Sequence, residues 1–163
     1  MMFDFATTAI DKPTLYAELL DALRALVAGE PDQIANMANV SALLFHGLPD
    51  LNWAGFYRNL NGELVLGPFQ GKAACIRIPF GLGVCGAAAA TRTVQRVADV
   101  RAFPGHIACD AASRSELVVP LVAADGSLLG VLDLDSPSPD RFDAEDEAGC
   151  VALAQALTDA LAA

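Results

Sequence analysis

Three cysteines and three acidic residues in the middle of the chain have the types that thiol redox chemistry requires. Cys109 follows His106 by three positions, in a stretch that opens with the turn-forming residues Pro104 and Gly105. A cysteine with a purely structural role is more often found in an apolar run. A reactive thiol near carboxylates predicts redox chemistry on a small polar substrate. The candidate residues are Cys75, Cys85, Cys109, Glu116, Asp133 and Asp135.

Asp133 and Asp135 alternate with Leu132 and Leu134 in a run that is typical of a strand. Strand alternation places the two acids on one face, about 6.6 Å apart, and the two leucines on the other. Two carboxylates held this close raise the pKa of one, which can then donate a proton while the other binds an ammonium group. Glu116, in a neighbouring predicted strand, is expected to join them. The alternative is an exposed polar strand face.

The turn Gly81-Leu82-Gly83-Val84-Cys85-Gly86 matches the Gly-x-Gly-x-x-Gly pattern of dinucleotide-binding proteins. We disfavour such a site, because it needs parallel strands with crossover helices, whereas this sequence predicts antiparallel hairpins. The helix that begins in this turn could instead receive the carboxylate of a small ligand at its N-terminus. A tight strand-to-helix connection without a ligand is the other interpretation.

The remaining cysteine and histidine positions have simpler interpretations. A zinc site built from Cys75, Cys85, His106 and Cys109 is disfavoured, because intervals of 10, 21 and 3 residues lack the paired spacing of most structural sites. We therefore expect no metal. Cys150 lies on the apolar stripe of the last predicted helix, which indicates buried packing. His106 either stabilises a Cys109 thiolate or is an ordinary surface residue.

Composition limits the class of protein. The 163 residues, 54% hydrophobic and 18% charged, suffice for one domain of ordinary size. The net charge is -10 and the 10 Lys and Arg residues are scattered, so nucleic acid and anionic membranes are not expected partners. The first residues lack the features of a signal peptide, and no apolar run approaches the roughly 20 residues that span a bilayer. We therefore expect a cytoplasmic protein whose cysteines are reduced at rest, so that a disulfide would be transient.

Hydrophobic spacing predicts a single α+β domain. Apolar residues that recur at intervals of three and four predict helices at both ends of the chain. The pairs Asn61-Gly62 and Asp125-Gly126 predict two tight hairpins. The pattern indicates a mainly antiparallel sheet with helices packed chiefly on one face. The expected parts of the domain 1–163 are helices in 13–47, the sheet and active-site loops in 51–136, and a C-terminal helix in 143–162.

Several sequence blocks carry a family resemblance. They occur in order between about Ile34 and Asp146, and they are Asn52–Tyr57, Leu66–Gly71, Gly83–Gly86, Gly105–Ser113 and Gly130–Ser136. Together they resemble the free methionine-(R)-sulfoxide reductases, which are GAF-domain enzymes. The resemblance implies a GAF-like fold and reduction of free L-methionine-(R)-sulfoxide, not of protein-bound sulfoxide. It also implies thioredoxin as the external reductant and no bound cofactor.

The resemblance further implies residue roles. The attacking thiol falls on Cys109 and the recycling thiols on Cys75 and Cys85, with the choice between these two left open. The substrate-binding positions fall on Trp53, Tyr57, Glu116, Asp133 and Asp135. The thiolate would attack the sulfoxide sulfur while a pocket acid protonates the oxygen, and a second cysteine would convert the resulting sulfenic acid to a disulfide.

Two positions depart from the family pattern. Leu82 occupies a position that is often basic, and Arg114 one that is often asparagine, which puts substrate affinity in question. The alternative function is a GAF-type module that binds a small ligand, or senses redox state, without turnover. A homodimer is a further expectation, because GAF domains often dimerise.

Overall fold

The computed structural model describes residues 3–107 and 109–163, in which one six-stranded sheet is flanked by four α-helices. Met1, Met2 and Ala108, the last of these within the block around Cys109, lie outside the described residues. The helices are α1 (Lys12–Val27), α2 (Gln33–Gly47), α3 (Gly83–Thr91) and α4 (Ala144–Ala162). The strands are β1 (Trp53–Leu60), β2 (Glu63–Gly71), β3 (Arg77–Pro79), β4 (Gln95–Val97), β5 (Ser115–Val122) and β6 (Leu128–Ser136).

The sheet has the order β3-β2-β1-β6-β5-β4, and each pair of neighbours is antiparallel. Both predicted hairpins are present. The β1–β2 turn has positive φ values at Asn61 (56°) and Gly62 (84°), as a two-residue hairpin turn of this class requires. The antiparallel sheet confirms the predicted α+β fold and excludes the parallel arrangement of a dinucleotide-binding unit.

Aspartates fix the starts of the three long helices. The side chain of Asp11 accepts a hydrogen bond from the Thr14 backbone N–H at 2.8 Å, and Asp32 begins α2 in the same way. Asp143 begins α4 in a capping box, in which the Asp146 carboxylate accepts from the Asp143 backbone N–H. Such caps satisfy N–H groups that have no partner within the helix.

The two faces of the sheet carry different layers. The main core lies under α1, α2 and α4 and includes Phe56, Leu132 and Leu134, each at most 1% exposed. The short α3 covers the opposite face together with Trp53 and Tyr57 of β1. Alternation along β6 therefore sends Leu132 and Leu134 into the main core and its acids toward α3. A nine-residue helix leaves part of this second face uncovered, and a cleft forms there.

A buried carboxylate joins the first and last helices. Asp146, 1% exposed, accepts hydrogen bonds from Lys12 Nζ and the Tyr16 hydroxyl at 2.7 Å and from Arg141 at 3.1 Å. Cys150 is buried beside it, as predicted, with its sulfur 3.8 Å from the Tyr16 hydroxyl oxygen. Burial raises the pKa of the Cys150 thiol to about 12. Across the part of the chain described, no helix combines the length and apolar character needed to cross a membrane.

Candidate active site

The cleft on the second face collects the predicted substrate-binding residues. It contains about 540 Å³ of space not filled by atoms, part of it open to solvent. Its walls come from the start of α3, the β2–β3 connection (residues 72–76) and the Cys109 loop (residues 103–107 and 109–114). The predicted site residues in its lining are Trp53, Tyr57, Cys85, Cys109, Glu116, Asp133 and Asp135. Cys75 is the remaining one, and it is bonded to Cys109.

Register in the sheet brings the three carboxylates together. Glu116 of β5 lies directly opposite Asp135 of β6, and Asp133 is two positions along on the same face. Glu116 is 6% exposed and Asp133 5% exposed, while Asp135 is half-buried. The alternative interpretation of a solvated polar strand face is therefore wrong. We call Glu116, Asp133 and Asp135 the acid cluster.

Burial is the largest cause of the altered ionisation in the acid cluster. It raises the pKa of Asp133 to about 6 and raises the pKa of Glu116 and of Asp135 well above their usual values. The negative charge of Asp133 adds to the raised pKa of both neighbours. The charge of the cluster thus resides most readily on Asp133, while the raised pKa of Glu116 and of Asp135 favours their protonated forms. Such a set can bind a cation and deliver a proton at one place.

One acceptor of the acid cluster is unpaired. Within the described part of the chain, Asp133 Oδ1 is buried and has no hydrogen-bond partner. Buried carboxylate oxygens normally accept a hydrogen bond, so an unpaired one in a cleft indicates the position of a donor group on a ligand. An ammonium group supplies both the donors and the charge that this oxygen lacks.

The cysteines are now distinguished. The sulfurs of Cys75, in the β2–β3 connection, and Cys109 form a disulfide, with the two Cα atoms 5.7 Å apart. Cys85 is free and buried in the first turn of α3, where its thiol donates a hydrogen bond to Glu116 Oε1 at 3.8 Å. Burial and the nearby carboxylates raise the pKa of the Cys85 thiol well above its usual value. Two of the four residues of the disfavoured zinc site are bonded to each other.

Hydrogen bonds from Asn52 hold the Cys109 loop in place. Asn52 Nδ2 donates to Asp110 Oδ2 at 3.2 Å and to Ser113 Oγ at 3.0 Å. Asp110 in turn accepts from the Ala112 backbone N–H at 2.9 Å. The sequence pattern predicts no role for Asn52, although this residue begins the first of the blocks that carry the family resemblance. Its contribution depends on contacts 58 and 61 positions along the chain, which spacing alone does not reveal.

Aromatic rings form one wall of the cleft. Trp53 stacks against both Tyr57 and Phe69, with ring centroids 6.0 and 5.2 Å away. Its indole N–H donates to the Lys72 carbonyl at 3.1 Å, and the Tyr57 hydroxyl donates to the Cys75 carbonyl at 3.0 Å. The wall is therefore fixed in place on the side where the disulfide closes, and it presents a flat apolar surface to a ligand.

The other residues singled out from the sequence lie at the rim or outside the cleft. His106 lines the cleft, and burial lowers its pKa, which favours a neutral imidazole. Leu82, 45% exposed, also lines it, at the start of α3. Arg114 pairs with Asp99 at 3.3 Å, so its guanidinium is engaged with an acid other than the nearby Glu116.

Comparisons with known proteins agree with this geometry. Residues 16–163 match the GAF domain. The free methionine-R-sulfoxide reductase of Escherichia coli is 54% identical over 153 residues, which are 94% of this chain and 92% of that protein. The free methionine-R-sulfoxide reductase of Neisseria meningitidis, solved in complex with its substrate, superposes with a TM-score of 0.93 at 45% identity, covering 99% of this chain and 96% of that one. A putative GAF sensor protein of Burkholderia vietnamiensis superposes with a TM-score of 0.90 at 58% identity, covering 94% and 99% of the two chains.

Proposed function

This chain belongs to the GAF-domain family and, within it, to the free methionine-R-sulfoxide reductases, and on that premise we propose how its residues perform the reaction. It is an oxidoreductase that reduces free L-methionine-(R)-sulfoxide to L-methionine. The observation that supports the residue roles best is the Cys75–Cys109 disulfide beside a cleft lined by three carboxylates. The disulfide corresponds to the enzyme after one turnover.

The cleft offers a matching group for each end of the substrate. The ammonium binds to Asp133, whose Oδ1 is buried without a partner among the described atoms, and Asp135 offers a further carboxyl oxygen beside it. The carboxylate binds to backbone N–H groups at the start of α3, where Leu82 provides no side-chain cap and the first-turn residues Gly83 and Val84 line the cleft. Trp53 contacts the S-methyl group. A peptide-bound sulfoxide lacks both charged ends and is therefore excluded.

The reductive step uses Cys109 and Glu116. In the reduced enzyme the Cys109 thiolate attacks the sulfoxide sulfur while Glu116, whose raised pKa favours its protonated form, donates a proton to the oxygen. The oxygen is transferred to Cys109, which becomes a sulfenic acid, and methionine leaves. The Cys75 thiol then attacks the sulfenic sulfur, expels water and closes the disulfide.

A dithiol protein must reopen the disulfide, and thioredoxin fits this role by its chemistry. Cys75 and Cys109 are both half-buried at the rim, where a partner thiolate can reach a sulfur atom. We place this cycle in the cytoplasm, where thioredoxin keeps thiols reduced. No bound cofactor is required, because each electron pair enters through thiols.

The decisive experiment couples NADPH oxidation to the enzyme through thioredoxin reductase and thioredoxin. Free L-methionine-(R)-sulfoxide should support many turnovers, whereas the (S) epimer and a peptide-bound sulfoxide should not. The variant Cys150→Ala serves as a cysteine control. It should keep the wild-type rate of turnover, because Cys150 is buried in the main core and not in the cleft. Saturable binding of the (R) sulfoxide without methionine formation, in the pre-reduced enzyme, would instead establish a non-catalytic GAF binding module.

A further inference from the structure

Cys85 has no place in the thiol cycle just described. Its two possible partners are already bonded to each other, and its own sulfur is buried at 5% exposure. It nevertheless lies in the lining of the cleft and not in the main core. A buried thiol in direct contact with a reacting acid needs an explanation other than packing or recycling.

The contact partner of Cys85 is specific. Its sulfur is 3.8 Å from Glu116 Oε1, the one hydrogen bond found for that carboxyl group among the described residues outside the acid cluster. The Cys85 sulfur, one carboxyl oxygen of Glu116 and one carboxyl oxygen of Asp133 all lie within 4.8 Å of one another. Because Cys85 remains a neutral thiol in these surroundings, it acts as a donor toward Glu116.

Local backbone structure fixes this contact. Cys85 is the third residue of α3 and is followed by Gly86, where an added Cβ would lie 2.6 Å from the Pro79 carbonyl oxygen. Gly83, at the helix start, has a φ of 66°. The absence of a side chain at Gly86 lets α3 approach the end of β3 closely, and the positive φ at Gly83 turns the chain into the helix, so that Cys85 lies against Glu116 of β5.

We propose that Cys85 is a positioning residue, whose neutral thiol donates to Glu116 Oε1 and thereby keeps the transferable proton of Glu116 on Oε2. With Oε1 occupied as an acceptor, the carboxyl proton resides on the oxygen that remains available to Asp133 and to the substrate. The proton is then presented in one orientation to the sulfoxide oxygen. This inference rests on the proposed function, since it assigns a task within that reaction.

The pH dependence of this arrangement has a definite sign. A donor to a carboxylate favours its ionised form, so the Cys85 thiol lowers the pKa of Glu116 against the larger opposing effect of burial. Removing the donor should therefore shift the alkaline limb of the kcat profile to higher pH. The titratable and charged groups around Glu116 are Asp133 and Asp135 of β6, Cys85 of α3, Tyr57 of β1, and Lys72, His106, Cys109 and Asp110 of the cleft lining.

The test compares C85A and C85S with wild type in the thioredoxin-coupled assay across pH, with unfolding curves to verify the fold. C85A should lower kcat by roughly tenfold or more, with a smaller change in KM and an upward shift of the alkaline limb, because Glu116 loses its donor. C85S, which keeps a donor, should recover part of kcat and restore the limb toward its wild-type position. Both variants should still release one equivalent of methionine without reductant and form the Cys75–Cys109 disulfide, detected by mass spectrometry.

Two results would overturn the inference. A wild-type kcat and pH profile in C85A would reduce Cys85 to packing. A single turnover followed by arrest in C85S with thioredoxin, thioredoxin reductase and NADPH all present would make Cys85 a recycling thiol. Absence of turnover in the wild-type enzyme would contradict the proposed function itself, which separates the two failures.

Discussion

Cys75 and Cys109 are 34 positions apart in the chain, yet their Cα atoms are 5.7 Å apart and their sulfurs are bonded. Cys75 belongs to the connection between two sheet strands, and Cys109 to the loop that precedes β5. The bond therefore joins two independent parts of the cleft rim. In the proposed cycle this bond opens and closes once per turnover, which defines what each thiol should do when it is replaced.

Replacing each of these cysteines should separate the reaction from its recycling. C109S should release no methionine in a single-turnover experiment without reductant, because the attacking sulfur is lost. C75S should release one equivalent of methionine and then stop, because no second thiol is available to convert the Cys109 sulfenic acid to a disulfide. Methionine is measured per mole of enzyme by mass spectrometry. One equivalent from C109S would place the nucleophile at another residue.

Substitutions in the acid cluster should affect kcat or KM according to the residue replaced. E116Q removes the assigned proton donor and should lower kcat by roughly a hundredfold or more. D133N removes the charge that holds the ammonium and should mainly raise KM, with D135N showing a weaker form of the same effect. Steady-state kinetics on the free (R) sulfoxide measures both. Wild-type values in all three variants would mean that the cluster does not contact the substrate.

The raised pKa of Asp133 should also make the stability of the fold depend on pH. Folding raises this pKa from the ordinary 3.8 to about 6, so between these values the unfolded chain binds fewer protons than the folded one. The contribution of Asp133 to the free energy of unfolding is therefore greatest below about pH 4 and decreases as the pH rises through about 6. The Tm of D133N relative to wild type should increase between pH 4.5 and pH 7.5. A constant difference across this range would show that Asp133 titrates normally.

Asn52 should matter more for catalysis than for folding. N52A removes both side-chain hydrogen bonds to the Cys109 loop, so the nucleophile should be held less accurately. We expect kcat/KM to fall by about tenfold or more while Tm changes little. N59A is the matched control, because Asn59 lies near the opposite end of β1, which Asn52 precedes, and donates to the Leu128 carbonyl at the far end of β6. An equal loss of activity in both variants would indicate a general effect on β1.

The Tyr16–Asp146 hydrogen bond should contribute to stability alone. Y16F leaves the ring in place and removes a 2.7 Å hydrogen bond to a buried carboxylate, which should lower the free energy of unfolding by about 1.5–3 kcal/mol. Urea denaturation measures the change. The kinetic constants should not change, because Tyr16 lies in the main core. A change in KM would contradict the separation of the two layers.

Strictly local patterns predicted much of this molecule. The Asn61-Gly62 turn and the alternation of Asp133 and Asp135 with leucines depend on backbone geometry within a few residues, and both were read correctly. The cysteine pairing was left open, because it depends on how the β2–β3 connection approaches a loop more than 30 residues later. Neither hydrophobic period nor turn chemistry specifies that approach. The task of Asn52 was missed for the same reason.

The closed segment between Cys75 and Cys109 includes α3 and β4, so one wall of the cleft is part of a covalent ring. Closing a ring of this length restricts the unfolded chain and is worth about 4 kcal/mol of stability by loop-closure entropy. Amide hydrogens in α3 should therefore exchange with deuterium more slowly in the oxidised protein than in the reduced one. The same comparison by calorimetry should give the oxidised form the higher melting temperature. Oxidation thus leaves the spent enzyme more heat-resistant than the enzyme that is ready to begin.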